Sequence, residues 1–436
     1  MHPNLETLKS QLNLRLDTMN WEPKPFIAGQ SPIPVTAKSL DISDLFLLLQ
    51  ASLDLWLTSG RFTDEFESKI AEYLGLRSRS LFVNSGSSAN LIAISSLFSP
   101  KLENALKPGD HILTCAASFP TTVTPILQNG AVPIFCDLNP ISLRSTIEDL
   151  EQNLTLQTRA VVLTHNLGIP FDAPAIQKWC RDRNLFFIED TCDAFGSEIQ
   201  SQKVGTFGDF STLSFYPAHH ITTGEGGAVN TNKPYLRKIA QSYRDWGRDC
   251  WCETGHDNTC KKRFDWDFSP LPPGYDHKYI YTHLGYNLKA TDMQAALGVS
   301  QLDKMDQFKT QRSLNYKKLL QGCQNSPILQ KVLMPVTAPD DCSPNWFGFP
   351  ILVQQGFDRK KIIHFLENKK IATRIFFAGN ITHQPLMKNQ KWIAHKLDGC
   401  DRIMKDLFWI GVHPLITDEM ISYILDNLEQ ACRQQF

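Results

Sequence analysis

Residues 214–230, SFYPAHHITTGEGGAVN, combine a hydroxyl side chain, two adjacent histidines and a glycine run. Histidine can accept a proton near neutral pH, and serine together with glycine-rich backbone can surround a phosphate group. The stretch therefore has the residue types of a cofactor site, with Ser214 as a candidate ligand and a histidine as a candidate base.

Three further stretches carry residues that could serve the same site. NSGSSAN (84–90) would place Gly86 and Ser87 at a helix N-terminus, where free backbone N–H groups bind phosphate. Phe119 could stack on a flat ring, and Asp190 could hold a protonated ring nitrogen, since a carboxylate is costly to bury without a cationic partner. Taken singly, each has a simpler interpretation, which is a helix N-cap for the serines and Asp190 and core packing for Phe119.

The elements that would position these residues alternate along the first half of the chain. Apolar runs typical of buried strands are separated by helical stretches such as 173–183, which predicts an α/β fold with a mostly parallel sheet covered on both faces. The runs are 80–84, 111–115, 131–136, 160–165, 185–190 and 211–216. Ligands of such sheets bind at the carboxyl ends of the strands, and the candidate residues follow those ends.

The predicted organisation has a large domain and a small one. An N-terminal helix and extended arm (1–40) precede a large cofactor-binding domain (41–305), and residues 306–436 predict a smaller C-terminal α+β domain. Residues 248–285 are rich in Asp, Trp, Pro, Gly and Cys, which indicates a long functional loop within the large domain.

Composition argues against several classes of function. A net charge of −1 on 436 residues gives no global field for nucleic acid or an anionic membrane. No apolar run approaches the roughly 20 residues needed to span a bilayer, and residues 1–23 lack the apolar core of a signal peptide. Eleven cysteines in a long chain do not suggest a secreted disulfide framework, so we expect a cytoplasmic protein.

Together these stretches resemble the fold type I pyridoxal-phosphate enzymes, in particular the family of sugar aminotransferases that act on nucleotide-linked keto-sugars. The resemblance covers about residues 30–430 and rests on WLTSGRFTDEFE (56–67), NSGSSAN (84–90), IEDTCDAFG (188–196), SFYPAHHITTGEGGAVN (214–230) and GYNLKATDMQAALG (285–298). Family members carry a lysine five residues before the first glycine of GEGG. The same count back from Gly224 gives His219.

The resemblance implies that this exchange changes the chemistry. Lysine would hold pyridoxal phosphate as a Schiff base, whereas histidine cannot form a stable imine but can take a proton. The cofactor would then be bound non-covalently, most usefully as pyridoxamine phosphate, whose amine can condense with a ketone of the sugar. Removal of a methylene proton by His219 would then lead to loss of a hydroxyl, so that dehydration replaces transamination. The alternatives are that Lys203 supplies the missing lysine, or that the protein is a non-catalytic relative.

Four cysteines extend the resemblance to a subgroup with histidine in the lysine position, the 3-dehydratases of 4-keto-6-deoxyhexoses. They are Cys192, Cys250, Cys252 and Cys260. Their spacing resembles that of the iron–sulfur type, which implies a 2Fe-2S cluster fed by an NADH-dependent iron–sulfur flavoprotein reductase. Four thiolates suit zinc as well as a cluster, and ligand chemistry alone favours structural zinc, the commoner occupant of such sites. The closeness of Cys192 to Asp190 instead favours a redox centre. A cluster-free dehydratase, with a cofactor regenerated by glutamate, is the other alternative.

The resemblance also implies a partner subunit and a substrate. In a homodimer, Asn287 would reach the cofactor phosphate of the neighbouring subunit. The expected substrate is a CDP-linked 4-keto-6-deoxyhexose, with a TDP-linked sugar as the alternative, and the expected role is 3,6-dideoxyhexose synthesis for lipopolysaccharide O-antigen. His220, Arg374 and His383 are candidate substrate contacts, with packing as the alternative for His220.

Overall fold

The computed structural model describes residues 25–252 and 255–436, together with Thr7 and Ser10. The predicted N-terminal helix therefore lies largely outside the described residues. Residues 25–40 form an irregular arm whose Ile33 bridges to Ile371 in the C-terminal part of the chain. No helix among the described residues is long and apolar enough to cross a membrane.

An eight-stranded sheet forms the centre of the molecule, in the order β1-β9-β8-β5-β4-β2-β3-β14. The strands are β1 (Leu81–Val83), β2 (His111–Cys115), β3 (Val132–Cys136), β4 (Thr158–Thr164), β5 (Phe186–Asp190), β8 (Phe210–Ser214), β9 (Gly227–Asn230) and β14 (Ile393–Ala394). The predicted fold type I architecture, with a mostly parallel sheet, is confirmed. Only β9 runs antiparallel to its neighbours, β1 and β8.

Helices cover the sheet and precede or follow its strands. They are α1 (Ile42–Leu53), α2 (Arg61–Leu74), α3 (Gly86–Ser96), α4 (Pro120–Gln128), α5 (Ile147–Asn153), α6 (Ala173–Asp182), α7 (Pro234–Arg244) and α8 (Asp292–Leu302). Local sequence explains their ends. Ser85 accepts from the Ser88 amide at the start of α3, and Thr291 forms a capping box with Gln294 at the start of α8.

The strands of the central sheet are almost wholly buried, as their sequences require. All five residues of β5 are buried, including the carboxylates Glu189 and Asp190. Glu189 is satisfied by the amides of Gly205, Phe207 and Gly208 and contacts His165. The strand therefore ends in Asp190 inside the protein rather than at its surface.

The C-terminal residues form a second layer around a four-stranded antiparallel sheet, in the order β10-β12-β15-β13. Its strands are β10 (Leu333–Pro335), β12 (Phe349–Val353), β13 (Thr373–Ile375) and β15 (Leu407–Ile410). Its helices are α9 (Met305–Asn325), α10 (Pro327–Val332), α11 (Arg359–Asn368), α12 (Asp398–Asp406) and α13 (Asp418–Arg433). A small sheet of β6 (Glu198–Ile199), β7 (Gln202–Lys203) and β11 (Cys342–Ser343) links the two regions.

Candidate active site

The N-terminus of α3 meets the end of β8 at Gly86. An added Cβ on Gly86 would lie 2.5 Å from Ser214 Cβ and 3.2 Å from Cys192 Sγ, so only glycine fits without movement. No hydrogen bond among the described residues uses the backbone N–H of Gly86 or Ser87. These two donors, beside the Ser214 hydroxyl, form a cradle suited to a phosphate group.

Asp190 lies at the carboxyl end of β5, buried at 2% exposure. One of its carboxylate oxygens accepts from Asn90 Nδ2 at 2.9 Å and Thr122 Oγ1 at 2.7 Å. The other accepts from the Cys192 amide at 3.2 Å. The donors hold a buried carboxylate in place and leave capacity to accept a ring N–H. Sequence reasoning missed Asn90 and Thr122, because hydroxyl and amide side chains inside helices give no signal of a partner in a distant strand.

The predicted base, His219, lies in a tight loop between β8 and β9. Its Nδ1 is 3.6 Å from Asp193 Oδ1, and its ring centroid is 5.2 Å from that of Phe347. Burial and, to a smaller extent, the positive charge of Arg312 lower the pKa of His219 to about 4, although Asp190 opposes the shift. His219 is therefore unprotonated at neutral pH and free to accept a proton.

His220 has a different environment from its neighbour. It is 3% exposed, and its Nε2–H donates to the Asn345 carbonyl at 2.9 Å. Burial holds the pKa of His220 well below its usual value. This position favours the packing role over the substrate contact that the sequence also suggested.

The lysine alternative is disfavoured by the position of Lys203. Its Nζ donates to the Tyr73 carbonyl at 2.6 Å and lies 4.0 Å from the centroid of the Tyr73 ring. Both contacts hold the Lys203 amine against Tyr73 of α2, where the lysine serves as a structural cation. The structure therefore offers no reason to place Lys203 in the lysine role.

The remaining predicted contacts lie at the surface. Phe119 is about half exposed and its ring packs edge-on to Phe377 at 6.1 Å, which leaves a ring face open. Asn287 is exposed and its Oδ1 accepts from Lys289 Nζ. Arg374 is exposed, and His383 Nε2 lies 3.4 Å from Asp401 Oδ1.

Three of the four predicted cluster cysteines line the same cavity, and the fourth lies in the cradle. Cys250, Cys252 and Cys260 line one small cavity together with His277, whereas Cys192 lies against Gly86 in the cradle. Burial and the nearby carboxylates of Asp190 and Asp193 raise the pKa of the Cys192 thiol. Among the residues that the structure describes, no group of three or more His, Cys, Asp or Glu side chains is arranged to hold a metal ion.

The residues present fit pyridoxal or pyridoxamine phosphate. The cradle at Gly86 would take the phosphate, Asp190 the ring nitrogen, and Phe119 one face of the ring. His219 lies in the loop that follows β8, at the same end of the sheet.

Comparison with known proteins gives the same classification. Residues 43–429 match the DegT/DnrJ/EryC1/StrS aminotransferase family. The chain belongs to this family. The match spans the whole central sheet and nearly all of the C-terminal layer, so it covers every candidate residue named above.

Two curated relatives align over nearly the whole chain. One is the lipopolysaccharide biosynthesis protein RfbH of Salmonella typhimurium, 46% identical over 98% of this chain and 98% of that protein. The other is the dTDP-4-dehydro-2,6-dideoxy-D-glucose 3-dehydratase of Saccharopolyspora spinosa, 47% identical over 94% of this chain and 88% of that protein.

A solved structure shares the fold. The E. coli GDP-4-keto-6-deoxy-D-mannose-3-dehydratase with bound hydrated PLP superimposes with a TM-score of 0.81 at 25% identity, covering 91% of this chain and 99% of that one. The protein is thus an enzyme-family member whose relatives include nucleotide-sugar 3-dehydratases, and a pyridoxal-type cofactor is supported.

Proposed function

We propose that the protein is a pyridoxamine-phosphate-dependent dehydratase that removes the C3 hydroxyl of a nucleotide-linked 4-keto-6-deoxyhexose. The observation that carries the proposal is His219, a largely buried imidazole 3.6 Å from Asp193, in the loop where aminotransferases of this family carry lysine. The 3-dehydratase names of the Saccharopolyspora relative and the E. coli structure support the reaction.

Each residue of the pocket has a defined task in this proposal. The amides of Gly86 and Ser87 bind the cofactor phosphate, and Asp190 holds the ring nitrogen in its protonated form. Bound pyridoxamine phosphate supplies an amine for the C4 ketone and an electron sink for loss of the C3 hydroxyl. His219 accepts the methylene proton, for which its low pKa keeps the ring unprotonated.

The substrate is proposed to be CDP-linked, with the dTDP-linked sugar as the alternative. The name of the Saccharopolyspora relative supports a dTDP sugar, and that of the E. coli structure shows that other members use GDP. Arg374 and His383 are exposed side chains that could meet the diphosphate or the sugar. A homodimer is part of the proposal, since exposed Asn287 would contact the cofactor phosphate across it.

The finer proposal concerns the electrons. Loss of the C3 hydroxyl followed by two-electron reduction gives a 3-deoxy sugar, and the sequence has no dinucleotide fingerprint of its own. We propose that an NADH-dependent iron–sulfur flavoprotein reductase supplies the electrons through a 2Fe-2S cluster held by the four cysteines. The shared cavity of Cys250, Cys252 and Cys260 supports three of the ligands. Cys192, which lies against Gly86 in the cradle, is the proposed fourth ligand.

Metal content separates the cluster from its alternatives. Protein purified without oxygen should contain iron and acid-labile sulfide in equal amounts, and the Cys252→Ser variant should lose both. Zinc in the anaerobic protein would instead indicate a structural metal site. Absence of any metal would favour the cluster-free dehydratase.

Product analysis tests the dehydratase itself. The protein, pyridoxamine phosphate, reductase and NADH should convert CDP- or dTDP-4-keto-6-deoxyglucose to a sugar nucleotide that lacks one oxygen at C3. A 4-amino sugar would instead show transamination, and recovery of unchanged substrate would favour a non-catalytic binding protein.

A further inference from the structure

Arg312, on α9, is a buried cation that contacts the loop between β8 and β9, residues 215–226, which we call the histidine loop. Arg312 is 2% exposed, and no carboxylate in the described part of the chain lies within 4.0 Å of its guanidinium nitrogens. Buried arginines are normally paired with an acid, because the desolvation of an isolated charge costs several kcal/mol. An unpaired guanidinium at this position therefore needs another explanation.

The guanidinium is bound to three backbone carbonyls instead of to an acid. Nη1 donates to the carbonyls of Trp346 at 3.1 Å and Phe347 at 3.4 Å. Nη2 makes a longer contact of 3.5 Å to the carbonyl of His219 itself. One rigid, forked side chain thus joins the backbone of the predicted base to the segment before β12.

That segment also contacts both histidine side chains. The Phe347 ring lies 5.2 Å from the His219 ring and 5.9 Å from the His220 ring, and the Asn345 carbonyl accepts from His220. Asn345 is fixed in turn by Ser197 and by the Phe195 carbonyl. The histidine loop is therefore held at its backbone by Arg312 and at its rings by the segment that Arg312 binds.

The charge of Arg312 also favours the unprotonated form of the histidines. The charged groups that act on His219 are the carboxyls of Asp190 and Asp193 and the guanidinium of Arg312, with His220 adjacent. The positive charge of Arg312 disfavours protonation of both histidines. A carboxylate partner for Arg312 would cancel that effect, and none is present among the described residues.

We propose that Arg312 is a positioning residue for His219, holding the histidine loop against the cofactor pocket. The inference rests on the proposed function, in which His219 is a base that has no covalent bond to the cofactor to fix its place. A lysine bound to the cofactor would be located by that bond, whereas His219 depends on the loop. The contacts of Arg312 with the three carbonyls, called the clamp below, would fix the position of His219 in place of that bond. This matters because small displacements of a catalytic group reduce rates strongly.

The test compares two substitutions of Arg312 with a matched control. Arg312→Met removes the fork, Arg312→Lys keeps the charge but not the fork, and Lys309→Met removes a cation one turn earlier on α9, where it pairs with Glu198 at 3.4 Å. We measure solvent exchange of the methylene proton of bound pyridoxamine phosphate and the affinity for that cofactor. In the cofactor-free protein we measure amide hydrogen exchange of residues 216–224.

The clamp predicts a loss of rate with retained cofactor binding. Methylene exchange should fall about 100-fold in Arg312→Met and about 10-fold in Arg312→Lys, in line with the cost of misplacing a catalytic group. Cofactor affinity should stay within about threefold, since the cradle is intact, and amide exchange in 216–224 should rise. Lys309→Met should match the wild type. Wild-type methylene exchange in Arg312→Lys, or unchanged amide exchange in the loop, would overturn the proposal.

A double-mutant cycle separates this inference from the proposed function. In His219→Asn protein, adding Arg312→Met should cause no further loss, because both changes act through one group. Losses that multiply would show that Arg312 acts independently of His219 and would overturn the clamp. Absence of exchange in the wild type, or exchange at the wild-type rate in His219→Asn, would instead refute the proposed function. If Arg312→Met does not fold, the Arg312→Lys pair completes the same cycle.

Discussion

Replacing Gly86 with alanine tests whether the N-terminus of α3 holds the cofactor phosphate. The added Cβ would lie 2.5 Å from Ser214 Cβ and 2.9 Å from Ser214 Oγ. Ser214 ends a buried strand between β5 and β9 and cannot yield, so the first turn of α3 must move. Restoring an ordinary carbon–carbon contact requires a shift of about 1 Å.

The consequences of that shift can be estimated for stability and for binding. Overpacking of this kind costs about 1–3 kcal/mol, of which the better helix propensity of alanine recovers at most about 1 kcal/mol. The amides of Gly86 and Ser87 move with the turn, so two phosphate contacts weaken. We expect the affinity for pyridoxal phosphate to fall by about 10- to 100-fold, which corresponds to about 1.4–2.8 kcal/mol. Absorbance titration and thermal unfolding measure the two effects separately.

Gly298→Ala provides the matched control. Its Cβ would meet the Phe66 ring at 2.5 Å, a comparable clash with a core residue outside the cofactor pocket. It should lose stability but bind the cofactor normally. Wild-type affinity in Gly86→Ala, or an equal loss of affinity in both variants, would refute the placement of the phosphate at α3.

Further predictions concern the buried charges that support the fold. Glu67 accepts from Arg237, Arg244 and the Phe82 amide, so Glu67→Gln should cost about 3–5 kcal/mol in chemical denaturation, and a loss below about 1 kcal/mol would contradict the network. Burial raises the pKa of Asp41, but the hydrogen bond and charge of Lys304 outweigh it and leave that pKa below its usual 3.8. This stabilisation is present above about pH 4 and disappears as the pH falls through the lowered pKa. Asp41→Asn should therefore cost about 0.5–1 kcal/mol at pH 7 and less at pH 3, whereas an equal cost at both pH values would exclude the ion pair.

The sequence predicted the strands of the central sheet to within about two residues, because each is a continuous apolar run bounded by polar residues. It did not predict β14, a two-residue strand from the C-terminal region that pairs with β3. A strand so short has no periodicity to detect. The sequence shows the antiparallel β9 only as part of the glycine-rich motif, since its direction depends on how the loop between β8 and β9 folds back.

The site was predictable where residues follow strands and much less so where they come from elsewhere in the chain. Gly86, Asp190, Ser214 and His219 all follow the strand-end rule. Arg312 is 93 positions from His219 and Phe347 is 128 positions away, and neither lies in a recognisable pattern. For the cysteines, the sequence pattern predicts more than the structure shows. Their spacing suggests one site of four residues, whereas in the structure three line one cavity and Cys192 lies in the cradle.

The central claim is that His219 takes a proton from a non-covalently bound cofactor, and one measurement addresses it directly. Wild-type protein and His219→Asn are each loaded with pyridoxamine phosphate labelled at its methylene carbon, and release of the label to solvent is followed with the 4-keto-6-deoxy sugar nucleotide present. We predict release by the wild type and release about 100- to 10,000-fold slower by the variant, at similar cofactor occupancy. Release at the wild-type rate by His219→Asn would contradict the account.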